Sequence, residues 1–208
     1  MERVCIFIDG SNMFYSLKNK NLSTRVDYYQ LAKLLVGQDR TLVRAYYHNG
    51  AFDAAAFPDK AKSQQSFYDS LDRTPYLEVR LGRIIQYPDG RRTEKGVDVR
   101  MAADLVYYAA RDFYDTAIVI TEDQDFAPAL AIVKELGKHV EIVTFGGSTT
   151  KELMRVADKP IDLMTLLKTE DGAKVFPLVP EGPAQGPMEA LDSASGVPVE
   201  GEDNAGNR

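Results

Sequence analysis

The chain has 208 residues and a net charge of −6, and its content of 44% hydrophobic and 27% charged residues is ordinary for a globular protein. No apolar run approaches the ~18 residues of a membrane-spanning helix, and no basic leader precedes an apolar segment, so we expect neither a membrane span nor a signal peptide. The one cysteine, Cys5, excludes a disulfide within the chain, which favours a cytoplasmic location.

The negative charge is concentrated at one end of the sequence. Residues 169–208 carry eight acidic and two basic side chains, whereas residues 1–168 carry 23 of each sign. The acidic balance therefore argues neither for nor against a nucleic-acid ligand. Because residues 169–208 are rich in Pro, Gly, Ser, Asp and Glu and lack apolar periodicity, we predict a domain over residues 1–168 and a disordered acidic tail over residues 169–208.

Within residues 1–168, strand-like and helix-like patterns alternate along the chain. The predicted strands are residues 3–8, 41–47, 76–82, 117–121 and 139–144. The predicted helices are residues 12–19, 27–36, 58–73, 97–112, 125–136 and 149–157, the last with a capping-box spacing from Thr149 to Glu152. Strands separated by helices predict an α/β fold, a three-layer sandwich with a five-stranded parallel sheet and helices on both faces.

The first predicted strand ends at a carboxylate. Asp9 follows the apolar run of residues 4–8, and Gly10 and Ser11 then turn the chain into a helix that begins near Asn12. A charge at the end of a buried strand costs free energy unless something pairs with it. This end of a parallel sheet also faces the ligand crevice of open α/β folds, so Asp9 is the first candidate functional residue.

Further carboxylates are expected at the same edge of the sheet. Asp98 extends the apolar stripe of the helix over residues 97–112 at its N-terminal end, which favours a functional role over a capping role. Asp123 follows the strand over residues 117–121, and Asp125 beside it also suits an N-cap. Asp104, by contrast, is placed to pair with Arg100 one turn earlier.

We therefore expect Asp9, Asp98 and Asp123 to converge, with Asn12 and Asp125 beside them. Carboxylates this close repel one another, and a divalent cation between them removes that repulsion. A ligand set of oxygen atoms without a Cys or His cluster favours Mg²⁺ or Mn²⁺ over Zn²⁺. Such a site suits hydrolysis of a phosphodiester bond.

A basic segment precedes Asp98. Arg91, Arg92 and Lys95 follow a turn predicted at residues 88–90, and they indicate a hairpin-like excursion from the third strand. In that position the cations would lie beside the acidic site and contact the phosphates of a nucleic acid. Lys95, three residues from Asp98, is the best single candidate, and a solvated loop is the alternative.

These segments together resemble the NYN domain family of the PIN-like nuclease superfamily. The resemblance covers residues 2–160 and rests on three motifs: Phe7-Ile8-Asp9-Gly10-Ser11-Asn12, Lys95-Gly96-Val97-Asp98-Val99 with Ala103-Asp104-Leu105, and Asp123-Gln124-Asp125-Phe126 with Pro128. It implies a parallel sheet of strand order 3-2-1-4-5 and a Mg²⁺- or Mn²⁺-dependent ribonuclease whose partner is RNA.

The resemblance also implies roles for individual residues. Asp9, Asp98 and Asp123 match the family's metal-binding acids, Asn12 matches its active-site asparagine, and Asp125 matches its fourth acidic position. Substrate contacts are then expected at Ser11, Arg91, Arg92 and Lys95. Glu122 departs from the family, which commonly has a small residue there, so this carboxylate either points to solvent or alters the metal site.

One functional alternative stays open at this stage: a catalytically weak or inactive NYN fold that binds RNA or has a regulatory role. The oligomeric state also stays open, with a homodimer as one alternative. A metal-ion-dependent adhesion site would need a third ligand where the chain has Met13, and a dehalogenase-type phosphatase would need an aspartate at Ser11. Gly-rich nucleotide-binding loops are absent from the sequence.

Overall fold

A computed structural model describes residues 1–87, 91–147 and 150–176. These residues form one sheet with helices on both faces. The strands are β1 (Glu2–Asp9), β2 (Arg40–Ala51), β3 (Leu77–Gln86), β4 (Arg92–Lys95), β5 (Thr116–Ile120), β6 (His139–Thr144) and β7 (Lys159–Asp162). The helices are α1 (Gly10–Asn19), α2 (Tyr28–Val36), α3 (Pro58–Asp72), α4 (Val97–Ala110), α5 (Ala127–Glu135), α6 (Lys151–Val156) and α7 (Leu163–Leu166).

The central strand β1 divides the core into two layers. It pairs in parallel with β2 on one side and β5 on the other. Val4, Ile6 and Ile8 pack against side chains of α1, α2 and α3, whereas Cys5 and Phe7 pack against α4, α5 and α6. Successive side chains of a strand point to opposite faces, so this alternation gives the predicted three layers.

The sheet has two more strands than predicted. Its order is β4-β3-β2-β1-β5-β6-β7, and the five predicted strands occupy the central positions, parallel and in the expected order. The prediction of a five-stranded parallel sheet is wrong in strand number, because β4 adds antiparallel to β3 and β7 adds parallel to β6. Both extra strands are short and polar, and Pro160 in β7 is tolerated at an edge.

The helix ends follow local rules, with one correction. Asp27 caps α2, and Gly137, at φ 77°, follows α5 directly after the predicted helix end at residue 136. The last predicted helix begins two residues later than expected, because the hydroxyl of Thr150 caps it by accepting the N–H of Leu153. Thr149 itself lies outside the described residues. No helix in the described ranges combines the length and the apolar character needed to cross a bilayer.

The packed chain continues beyond the predicted boundary at residue 168. A 3₁₀ turn over Gly172–Val175 follows α7, and the side chain of Val175 is only 1% exposed in the core beside α2. The backbone carbonyl of Val175 accepts the N–H of Asp27 at 2.8 Å. Residues 169–176 thus belong to the folded body, while residues 177–208 of the predicted tail lie outside the described residues.

Truncation tests this extension of the body. A chain ending at residue 168 should melt at a lower temperature than one ending at residue 176, because it loses the buried side chain of Val175. In the full chain, Val175→Ala should lower the free energy of unfolding by about 2 kcal/mol, the transfer and cavity cost of two buried methyl groups. Equal melting temperatures of the two truncated chains would contradict the packing.

Candidate functional site

The candidate site is a crevice at the carboxyl ends of β1 and β5, where the connections after these two strands leave opposite faces of the sheet. α1 leaves the carboxyl end of β1 toward one face, and α5 follows β5 on the other face. In open α/β sheets, ligands bind at such a switch point. Asp9 ends β1, and the loop with Asp123 and Asp125 follows β5, so the fold brings these predicted residues to the same crevice.

Asp9 is the most buried acid of the crevice, with 6% of its surface exposed. Its Oδ1 accepts the N–H of Asn12 at 3.0 Å, and its Oδ2 accepts the hydroxyl of Thr121 at 3.1 Å. No Lys, Arg or His in the described parts of the chain forms an ion pair with it. Burial, followed by the charges of Glu94 and Asp98, raises the pKa of Asp9 to about 7, although the two hydrogen bonds act in the opposite direction.

Asp98 interacts electrostatically with the acids on both sides of the crevice. It lies in the first turn of α4, after Gly96 at φ 81°, and its surface is exposed while Val97 beside it is buried. Partial desolvation raises the pKa of Asp98, and the charges of Asp123 and Asp125 raise it further. Because Asp98 also raises the pKa of Asp9, it is coupled to acids on both sides of the crevice.

The loop after β5 is fixed by its own hydrogen bonds. Asp123, rather than Asp125, caps the following 3₁₀ turn, because its Oδ1 accepts the N–H of Asp125 at 2.9 Å. This corrects the N-cap assignment of Asp125, whose side chain is exposed. The N–H of Asp123 donates to the hydroxyl of Thr121, the same hydroxyl that donates to Asp9, so the carboxylates of both strands share one threonine.

Asn12 and Glu122 tie α1 to this loop. The side-chain oxygen of Asn12 accepts the N–H of Glu122 at 2.8 Å. The Glu122 carboxylate in turn accepts the hydroxyl of Ser16 at 2.8 Å, so it engages α1 instead of pointing only to solvent. The position at which this sequence departs from the NYN pattern is therefore accommodated by a serine one turn along the neighbouring helix.

Sequence reasoning missed Glu94. This residue lies on β4, and its Oε1 is 2.7 Å from the hydroxyl of Ser11 and 3.3 Å from the backbone nitrogen of Gly50. Burial raises the pKa of Glu94, and the charge of Asp98 adds to that rise. The available signal was a lone acid between cations on the return strand of the predicted hairpin, four residues before Asp98.

Ser11 and Asp104 lie in hydrogen-bond networks of the protein. The Ser11 hydroxyl contacts Asn49 Oδ1 at 2.9 Å as well as Glu94. Asp104 Oδ2 lies 4.0 Å from Arg100 Nε, as predicted, but its shortest contact is 3.0 Å to Nε2 of the buried His48. Asp104 therefore joins α4 to β2 through His48, and the predicted contact with Arg100 is also present.

The basic segment forms the predicted hairpin. β3 and β4 pair antiparallel, and the N–H of Tyr87 donates to the carbonyl of Arg91 at 2.8 Å. The predicted turn at residues 88–90 lies outside the described residues. Arg92 is partly buried and lies over the ring of Phe52, whereas Arg91 and Lys95 are exposed.

The donor set fits a hard divalent cation in its chemistry. It offers only carboxylates, one of them buried without a cationic partner among the described residues, and such oxygen atoms suit Mg²⁺ or Mn²⁺. Within residues 1–87, 91–147 and 150–176, however, no three His, Cys, Asp or Glu side chains are already close enough together to hold a metal ion. Binding would require the side chains to close around it.

Comparison with known proteins identifies the family. The model of the NYN domain matches residues 3–166. The chain belongs to the NYN domain family. A similar NYN-domain protein is the Low amplitude and bright protein LabA of Synechococcus elongatus, which is 28% identical over 167 residues, 77% of this chain and 83% of LabA.

The fold of this NYN domain also resembles a solved structure. A crystal structure of a protein of unknown function from Vibrio parahaemolyticus superposes with a TM-score of 0.60. The two chains are 24% identical, and the match covers 82% of this chain and 94% of the other. At this identity the likeness supports the fold alone.

The raised pKa of Asp9 predicts how stability depends on pH. The native NYN domain keeps a proton on Asp9 up to about pH 7, whereas the unfolded chain loses it near pH 4. Without metal, the free energy of unfolding should therefore fall by about 2–4 kcal/mol as the pH rises from 4 to 8. Asp9→Asn should flatten this dependence and stabilise the domain at pH 8.

The matched control is Asp72→Asn, which removes an exposed carboxylate at the end of α3, outside the coupled acids. Its free energy of unfolding, measured from denaturant curves with a chelator across the same pH range, should fall with rising pH as much as that of the wild type. A wild-type stability that rises steadily from pH 4 to pH 8 would contradict the burial of an unpaired carboxylate at Asp9.

Proposed function

We propose that this NYN domain is a ribonuclease that hydrolyses phosphodiester bonds of RNA with Mg²⁺ or Mn²⁺ held by Asp9, Asp98 and Asp123. The observation that supports it is the buried carboxylate of Asp9, which has no ion pair with a described cation and is coupled to Asp98 at the switch point. Such a group is costly unless a cation binds.

The residues of the crevice divide into ligands and positioning groups. When bound, the cation would activate water and offset the charge that develops on the phosphate. Asp9 would supply its most buried ligand, while Thr121 and the N–H of Asn12 hold that carboxylate in place. The Asn12 side chain keeps the loop with Asp123 and Asp125 against α1.

Glu94 extends this proposal beyond the acids expected from the sequence. The charge of Glu94 raises the pKa of Asp9, and the charge of Asp98 raises the pKa of Glu94. Glu94 therefore belongs to the same charge-coupled group. Its hydrogen bonds to Ser11 and Gly50 join β4 to the crevice. Through β4, Glu94 also brings the basic hairpin to the site, where Arg91, Arg92 and Lys95 would contact RNA phosphates.

A second candidate is an RNA-binding or regulatory NYN domain without catalysis. The arrangement of the acids favours it, because no three potential ligands in the described ranges are preassembled around a common point. Both candidates share RNA as the ligand. They differ in whether the added cation leads to cleavage, which one assay can measure.

Asp98→Asn tests the ribonuclease most directly. This change keeps the side-chain size but removes a charge and a strong metal ligand, so Mn²⁺-dependent cleavage of a mixed RNA substrate should fall by about 100-fold or more. Asp9→Asn and Asp123→Asn should behave alike. Metal-free stability should stay level or rise, because the repulsion between acids is relieved.

Asp104→Asn is the matched control for these variants and should retain cleavage. If Asp98 acted only at the helix start, Asp98→Asn would instead lose about 0.5–2 kcal/mol of stability and keep full activity. Cleavage that persists in all three single variants would overturn the proposed metal ligands. A wild-type chain that binds RNA but never cleaves it would favour the second candidate.

The basic hairpin gives a separate prediction. A triple variant with Arg91, Arg92 and Lys95 changed to glutamine should bind single-stranded RNA more weakly whatever its sequence, because phosphate contacts carry no base information. The slope of log affinity against log salt should fall by about 0.7 for each contact that is lost. Unchanged affinity and slope would remove this hairpin from the interface.

A further inference from the structure

We propose that Lys60 of α3 and Arg92 of β4 together bind one phosphate of a single-stranded RNA beside the acidic crevice. This inference rests on RNA as the ligand in the proposed function. It adds Lys60, a residue far from the basic hairpin in sequence, and it assigns the surface around Phe52 to the RNA strand.

Both cations lie close to one aromatic ring, that of Phe52. Lys60 Nζ lies 5.5 Å from the ring centroid of Phe52, and Arg92 Cζ lies 6.0 Å from the same centroid. Lys60 Nζ also lies 5.8 Å from the ring of Phe57. Two separate elements, α3 and the β3–β4 hairpin, thus each place a cation within about 6 Å of this ring.

No ion pair with a described residue offsets the charge of Lys60. Among the described residues, no carboxylate lies within ion-pair distance of Lys60 Nζ. Burial lowers the pKa of Lys60, and the neighbouring charge of Arg92 lowers it further. Like charges held together on a partly desolvated surface are stabilised by a bound anion, and a phosphate is the anion that RNA supplies.

This cation pair is connected to the crevice. Arg92 and Glu94 are alternate, partly buried residues of β4 and share one face of that strand. The Tyr15 hydroxyl is buried without a hydrogen-bond partner among the described residues. Burial and the charge of Glu94 raise the pKa of Tyr15, and the charge of Arg92 lowers it, so both charged groups lie near this hydroxyl. A strand of RNA that passes from the acids toward α3 would therefore cross Glu94 and then reach Arg92 and Lys60.

A cavity beside Phe52 leaves room for the attached nucleoside. It has a volume of about 320 Å³, and its lining includes Phe52, Pro58, Lys62, Gln65 and Tyr68 but neither Lys60 nor Arg92, so it adjoins the cation pair only through Phe52. Such a mixture of apolar walls and a few polar groups is typical of small-ligand pockets. An unpaired base can enter a cavity, whereas a base within a duplex is held in its stack, so we infer a single-stranded substrate.

The test compares Lys60→Gln with a matched lysine. Lys33 on α2 lies over Tyr29 at 5.6 Å, the same type of contact on a different helix, so Lys33→Gln is the control. Affinity for a labelled single-stranded RNA is measured by fluorescence anisotropy in a chelator at several salt concentrations. Mn²⁺-dependent cleavage by the wild-type chain is measured separately.

Loss of one phosphate contact should reduce the number of counterions that leave the RNA on binding, and with it the dependence of affinity on salt. For Lys60→Gln the log–log salt slope should fall by about 0.7, which corresponds to about eightfold weaker binding at 50 mM salt and about threefold at 200 mM. Lys33→Gln should bind as the wild type does. Lys60→Arg keeps the charge and should retain the affinity, and all variants should keep the wild-type melting temperature within a few degrees.

The outcomes separate this inference from the proposed activity. Equal affinity and slope of Lys60→Gln and the wild type would overturn the phosphate site, even if the wild type cleaves RNA. Weaker binding by Lys60→Gln without any wild-type cleavage would support the phosphate site and overturn the ribonuclease. Equal weakening by Lys60→Arg and Lys60→Gln, or a wild-type chain that binds no RNA, would also overturn the inference.

Discussion

The burial of the Asp9 carboxylate is the constraint on which the crevice depends. β1 is the central strand, so its carboxyl end is enclosed by β2, β5 and the start of α1. The hydrogen bonds from Asn12 and Thr121 offset only part of the cost of desolvating this charge, as the raised pKa shows. The fold therefore keeps at its centre a group that gains stability from a proton or a cation.

The elements around Asp9 are held by polar contacts rather than by packing alone. Asn12 and Ser16 of α1 bind the backbone and side chain of Glu122, and Thr121 joins Asp9 to the backbone of Asp123. These contacts fix the two strand ends relative to each other. The carboxylates beyond them, Asp98 and Asp125, remain exposed, which leaves them able to move toward a cation.

The sequence predicts the parts of the fold that depend on apolar periodicity. The five central strands, their order and the helices on both faces follow from buried segments such as residues 4–8 and the α4 stripe. The edge strands β4 and β7 could not be predicted in the same way, because an edge strand buries little and Arg92–Lys95 has no apolar pattern. The packing of Val175 was also missed, since the apolar run over residues 175–180 is too short to show a period.

The same reasoning explains what was found and missed in the crevice. Asp9 and Asp123 could be located because they follow buried strands, whose ends meet at one edge of a parallel sheet. Glu94 could not, since its position beside Ser11 and Gly50 depends on how the β3–β4 hairpin packs against the rest of the sheet. Long-range contacts of this kind leave no signature within a short window of sequence.

The charges of the folded body are nearly balanced in number, and two local groups of opposite charge lie beside the crevice. The coupled acids Asp9, Asp98 and Glu94 lie around the switch point, and Lys60 and Arg92 lie beside Phe52. An RNA phosphate would be repelled by the acids alone and attracted by the cations alone, so the two groups act together only when a divalent cation offsets the acids. If the domain binds RNA as proposed, these local cations would supply the attraction that dedicated nucleic-acid binders obtain from a basic surface.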